Sequence, residues 1–197
     1  MIAALIPAAG KSRRMGFAKL LLEVRGKSLL ANAVEVAAST SELVLVVVGA
    51  YADAYAPVAE AAGAEVILNP EWKEGMASSL RAGIVALPVE VEAALIVLPD
   101  QLFVDAAHLA TLAQVFREQE SPLALSRYSG ILGAPAVVGR ELFPQLLELT
   151  GESGAKALLG RVSSVAEVSL EKPFDVDTVE QAQRLLAEGL ESLRGRN

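Results

Sequence analysis

Short apolar runs alternate with helix-like stretches through the first half of this chain, and that alternation limits the available folds more than any other feature. Ile2–Pro7, Leu43–Val48, Ala64–Leu68 and Ala93–Leu98 read as strands. Leu29–Ala38, Asp53–Ala62, Met76–Leu87 and Asp105–Glu118 read as helices between and after them. The strand runs are nearly continuous in Val, Ile, Leu and Ala, the pattern of strands covered on both faces. Strand–helix–strand order implies right-handed crossovers and a mainly parallel sheet sandwiched by helices. The second half is less regular. Leu123–Ser126, Ala134–Val138 and Ala166–Leu170 are candidate strands, with helices expected near Glu141–Leu149, Gly154–Leu159 and Thr178–Glu191. The expected class is α/β, a three-layer Rossmann-like arrangement on a mainly parallel, mixed central sheet.

Size and charge narrow the function. A chain of 197 residues suits one well-buried domain and is short for two, so residues 1–197 are read as a single domain with a polar tail at 194–197. The net charge of −7 argues against a general nucleic-acid binder, which would present a basic face. Without cysteine the chain has no disulfides, thiolate zinc sites or cysteine nucleophiles, which fits a cytoplasmic protein. No apolar stretch is long enough to span a membrane. The first apolar run has no basic region before it and continues into a charged loop, so no secretory signal is expected.

That loop is where function is to be sought. After the first strand, Ala8, Ala9 and Gly10 keep side chains out of the way, so that backbone N–H groups can face an anion. Lys11, Arg13, Arg14 and Lys19 then supply countercharge suited to a polyphosphate. Two familiar phosphate loops are excluded. The Walker pattern requires glycine where Leu5 stands, and the dinucleotide fingerprint fails because Lys11, Ser12 and Arg13 follow Gly10. The plainer alternative is a solvated basic turn.

Ligands of open α/β sheets bind beyond the carboxyl ends of strands, where strand order reverses. Two further segments fall at such places. The run to Leu98 ends in Pro99-Asp100-Gln101, and Phe174-Asp175-Val176-Asp177-Thr178 precedes the last expected helix. Mg²⁺ uses one or two protein carboxylates and completes its octahedron with water and phosphate oxygens, so carboxylates brought together from these segments would suit it. Without a metal, Asp177 is a good N-cap near a helix starting at Thr178, and Asp100 could open a turn after Pro99. Asn69-Pro70 ends a strand before Gly75, where a tight turn leads into Ser78 and Ser79 in a first helical turn. Hydroxyls beside unpaired N–H groups can bind a base edge or ribose, and ordinary capping is the alternative. His108 reads as a surface residue three positions after Asp105, and Trp72 as a packing residue that could cover the site. Ser12 reads as a hydrogen-bonder, since no base is suggested nearby.

The opening segment resembles the nucleotidyltransferase superfamily signature L-A-A-G-x-S-x-R-M-G-x-x-K, most closely in the molybdenum-cofactor cytidylyltransferase branch. Ala8, Ala9, Gly10, Ser12, Arg14, Met15, Gly16 and Lys19 fit, and Pro7 stands in place of Leu. LPDQL resembles the family's L-x-D-Q-P motif, and DVDTVEQA its D-I-D-T-P-E-D motif, with Leu102 and Val179 replacing prolines. GMASSLRAG is similar to G-M-x-x-S-L-x-x-G. Gly133-Ala134-Pro135 and GESGAK resemble G-H-P-V and G-D-x-G-A-R, with Ala134 for His and Glu152 for Asp.

The resemblance implies a nucleotidyltransferase fold, with a nucleotide-binding half at 1–100 and an acceptor-binding half at 101–193. It implies Arg14, Lys19 and Asp100 as catalytic residues. Nucleotide binding would fall to Ala8, Ala9, Gly10, Ser12, Arg14, Lys19, Gly75 and Ser79. Mg²⁺ would be held by Asp100 and Asp177, with Asp175 in reserve. The implied reaction transfers CMP from CTP to the phosphate of molybdopterin, releasing pyrophosphate. A sugar-1-phosphate or other small phosphate is the rival acceptor. Departures at Leu102, Ala134, Glu152 and Val179 motivate a second rival, a nucleotide-binding module without catalysis. A hydride-transferring enzyme is the third, disfavoured by the missing glycine fingerprint.

Overall fold

The computed structural model describes residues 1–12, 15–24, 26–170, 174–175, 178 and 181. Seven strands form one sheet: β1 (Ile2–Ala8), β4 (Val44–Val48), β5 (Glu65–Leu68), β6 (Ala93–Ile96), β8 (Leu123–Tyr128), β9 (Ile131–Gly139) and β10 (Ala166–Ser169). Two small antiparallel pairs flank it, β2 (Glu23–Val24) with β3 (Lys27–Ser28), and β7 (Gln101–Leu102) with β11 (Phe174–Asp175). The α-helices are α1 (Leu29–Ala38), α2 (Ala52–Ala61), α3 (Met76–Ala86), α4 (Ala106–Glu118) and α5 (Phe143–Leu147). The sheet runs β10-β8-β9-β6-β1-β4-β5, and β9 alone is antiparallel to its neighbours.

The continuous apolar runs follow from burial on both sides. Ile2, Ala4, Ile6 and Ala8 of β1, with Val44, Val46 and Val48 of β4, face a core shared with α1, α2 and α4. Leu5, Leu45 and Val47 point the other way, into a core shared with α3, α5 and Leu158. A strand with two buried faces has no solvent face to carry polar residues, so its period of two disappears from the sequence.

Strand order reverses at β1. The chain leaves β1 for β4 and β5 on one side, then α3 carries it across to β6 on the other. Loops after β1 and β6 therefore splay apart at the carboxyl edge and leave a crevice there. β8 and β9 are joined by Ser129 and Gly130, both at positive φ, as a tight hairpin turn requires. The helix expected at Glu141–Leu149 is split into a 3₁₀ turn, Arg140–Leu142, and the short α5, whose first turn contains Pro144. The helix expected at Gly154–Leu159 is 3₁₀ over Ala155–Arg161.

His108 corrects the sequence reading. It lies on the inward face of α4 with Leu109 and Leu112 and is 9% exposed. Ser126 Oγ donates to the Pro135 carbonyl at 2.7 Å and therefore accepts from His108 Nε2–H at 2.8 Å. Those bonds offset the cost of burying an imidazole. Burial holds the His108 pKa below its ordinary value, with Asp105 opposing more weakly. The folded protein thus binds this proton less tightly than the unfolded chain does. Its contribution to stability is complete above the unfolded value of about 6.5 and is lost as pH falls through the lowered folded value. His108→Gln should give a flatter dependence of urea midpoint on pH across that window, and an unchanged slope would remove His108 as its source.

Candidate functional site

At the carboxyl edge of β1 and β6, two adjoining cavities of about 260 and about 220 Å³ share Pro7, Gly10, Ser12 and Met76. The loop after β1 runs between them. Ala8 and Ala9 are buried, and Gly10 and Lys11 are exposed. The Ser12 carbonyl accepts from the N–H groups of Met15 and Gly16, closing a tight turn with Ser12 at φ +48°. Buried Met15 and Leu20 then fasten the loop to the core. Arg13 and Arg14 lie outside the described residues.

Lys19 and Asp100 meet here from loops 81 positions apart, with Nζ 2.6 Å from Oδ2. Both line the second cavity, and their side chains are 12% and 24% exposed. A cation and a carboxylate in a partly open cleft can hold a phosphate and a divalent metal, respectively. Beside Asp100, Gln101 of β7 pairs with Asp175 of β11, so the backbone of the C-terminal segment reaches this edge. Asp177 lies outside the described residues. The helix expected at Thr178–Glu191 falls, but for Thr178 and Gln181, outside them too; those two pair reciprocally, Thr178 N–H donating to Gln181 Oε1 at 2.9 Å and Gln181 N–H to Thr178 Oγ1 at 3.2 Å.

This donor set fits Mg²⁺. Among the described residues no group of three or more His, Cys, Asp or Glu side chains forms a cage. Mg²⁺ needs none, since one or two carboxylates with phosphate oxygens and water suffice.

The first cavity has a different wall. Gly75 turns the chain into α3 at φ 123° and ψ −167°, a conformation essentially restricted to glycine. A Cβ there would lie 2.5 Å from the Gly151 carbonyl oxygen. That carbonyl accepts from Ala77 N–H at 3.0 Å, and the Glu152 carboxylate from Met76 N–H at 3.4 Å. Residues 151–152 therefore cap the start of α3. Arg81 holds the same corner, donating to the Leu149 carbonyl and to both carboxylate oxygens of Glu74. The Arg81 hydrogen bonds keep the Glu74 carboxyl below its usual pKa.

Ser78 and Ser79 are separated by their partners. Ser78 Oγ accepts from Asn69 and donates to the Gly75 carbonyl, so its capacity is spent on the turn. Ser79 Oγ accepts from Asn69 at 3.3 Å and lines the cavity, which leaves its proton for a ligand. Asn69, 2% exposed, organises the corner, accepting also from Glu71 N–H. The sequence reading assigned it only a strand end, although a polar residue at that position is a usable signal. Trp72 both lines the cavity and packs on the α3 core.

Tyr55 is a second residue that the sequence reading missed. It sits fully buried on α2 beneath the loop, accepting from Leu20 N–H at 3.4 Å. Burial pushes its hydroxyl pKa up to about 12.

A model of the MobA-like NTP transferase domain matches residues 4–167. Nicotine blue oxidoreductase of Paenarthrobacter nicotinovorans is 30% identical over 196 residues, covering 91% of this chain and 93% of that protein. The Rv0371c homologue of Mycobacterium sp. strain JC1 superposes with a TM-score of 0.83 at 28% identity, over 97% of this chain and 98% of its own. Rv0371c of Mycobacterium tuberculosis H37Rv, in a complex with manganese, superposes at 0.79 with 26% identity, over 96% and 99%.

Proposed function

This chain belongs to the MobA-like NTP transferase family and is a nucleotidyltransferase, and on that premise we propose that it moves CMP from CTP to the phosphate of molybdopterin. The observation that carries the site assignment is the Lys19–Asp100 pair, at 2.6 Å on a cavity shared with the Ser12 loop. In this reading the nucleoside occupies the first cavity, against Ala8–Gly10, Gly75 and Ser79. The triphosphate folds across Ser12 to Lys19, with Arg14 as a further phosphate contact. An oxygen of the acceptor phosphate attacks the α-phosphorus in line. The new P–O bond forms as the bond to the β-phosphate oxygen breaks, and pyrophosphate leaves. Lys19 and Arg14 hold the charge that develops on pyrophosphate, so catalysis is positioning and charge neutralisation. Asp100 and Asp177 would hold Mg²⁺, which supplies a Lewis acid at the phosphates. The manganese complex of the Rv0371c relative supports a divalent metal.

The Ala8-Ala9-Gly10 form of the loop, with its resemblance to the cytidylyltransferase branch, supports CTP. The oxidoreductase name of the 30% identical relative favours one other reading, in which a reduced nicotinamide binds here. The absent glycine fingerprint weighs against it. Both are tested by calorimetry with Mg²⁺ and CTP, GTP, ATP, UTP or NADPH on wild type and Lys19→Ala. CTP preference abolished by Lys19→Ala is the expected result. Preference for another triphosphate moves the acceptor towards a sugar phosphate, NADPH binding alone favours the oxidoreductase reading, and no binding overturns the site assignment.

A further inference from the structure

Tyr55 stands outside every motif of the site, yet its hydroxyl is the buried floor of the phosphate loop. The loop's described ends, Ser12 and the Lys19–Leu20 turn, both line the Asp100 cavity. The second of these is held from beneath: the Tyr55 oxygen accepts from Leu20 N–H at 3.4 Å. Tyr55 is fully buried, and its ring is held at 5.6 Å from that of Tyr51, so the oxygen has little freedom to move. Leu20 adjoins Lys19 in the 3₁₀ turn Lys19–Leu21. Fixing the Leu20 N–H therefore fixes where the Lys19 side chain begins.

We propose that Tyr55 is a positioning residue for the triphosphate, holding the Lys19–Leu21 turn through its hydroxyl so that Lys19 is preset for phosphate. The proposal rests on the nucleotidyltransferase reading of this cavity but concerns a residue that touches no substrate. A preset loop loses less freedom on binding than a loose one, and this difference appears as affinity.

Tyr55→Phe keeps the ring and removes the clamp. Wild type and variant are titrated with CTP and with inorganic pyrophosphate, both in Mg²⁺, and the Leu20 amide is followed by hydrogen exchange. Affinity for both ligands should fall about five- to tenfold, the scale of one lost hydrogen bond. Leu20 exchange should quicken, while the KM for the acceptor stays unchanged. A lower melting temperature with unchanged affinities would make Tyr55 merely structural and overturn the proposal. Should wild type bind pyrophosphate but no nucleoside triphosphate, the nucleotidyltransferase assignment of the cavity falls, and the pyrophosphate series still decides the clamp. A wild type that binds neither overturns both.

Discussion

Replacing Asp100 with alanine should lower turnover at least about a hundredfold and leave the fold intact; Lys19→Ala should do the same. The effects on turnover and on stability differ in size because the environments of the lost interactions differ. The Lys19–Asp100 pair is partly exposed, so its loss costs the folded state little, on the order of 1 kcal/mol or less. A charge-stabilising contact at a reacting phosphate is worth roughly 3–4 kcal/mol, because it is made most strongly where charge develops. Pyrophosphate release under saturating CTP and acceptor, with a thermal melt of each variant, reads both quantities. Near-normal turnover in either variant would remove that residue from the mechanism. A melt lowered by many degrees would show that the pair serves the fold.

Gly75→Ala should be the most damaging single methyl group in the site. The backbone at φ 123° and ψ −167° alone should cost about 1–3 kcal/mol for a residue with a Cβ. The added carbon would also lie 2.5 Å from the Gly151 oxygen and 2.7 Å from its carbonyl carbon, both backbone atoms that no rotamer change can clear. Moving residues 151–152 away breaks their bonds to Ala77 and Met76 and shifts the wall that carries Ser79. Nucleotide affinity should therefore drop at least about tenfold, a change of 1.4 kcal/mol. Gly63 is the control, being at φ +95° with no atom within 4 Å of an added Cβ. Gly63→Ala should cost stability but leave nucleotide affinity unchanged. Equal affinity losses in both variants would show that the Gly75–Gly151 contact has no special role.

Local patterns carried much of this molecule into the sequence. Burial on both faces is written into the runs of β1, β4 and β6, and the expected span of α1, Leu29–Ala38, is the observed one. The gathering of Gly10, Ser12 and Lys19 around one cavity was legible because residue type and strict spacing mark the loop. Less was legible beyond β7. Pro144 splits one expected helix, and Ala155–Arg161 winds as 3₁₀. The inward turn of His108 is visible only once Ser126 and the Pro135 carbonyl are placed beneath α4.

By itself, then, the chain's order of residues determined which segments pair into a sheet and which loop carries the charge. These properties depend on neighbours a few positions apart, and side-chain periodicity records them. Tertiary structure alone decided the partners. Lys19 found Asp100 across 81 residues, Gly75 became irreplaceable when the Gly151 carbonyl arrived against it, and Ser79 parted from Ser78 through Asn69. Tyr55 meets the Leu20 N–H only because α2 passes under the loop after β1. Contacts of this kind leave no period in a sequence, since their spacing is set by the path of the whole chain through two buried faces.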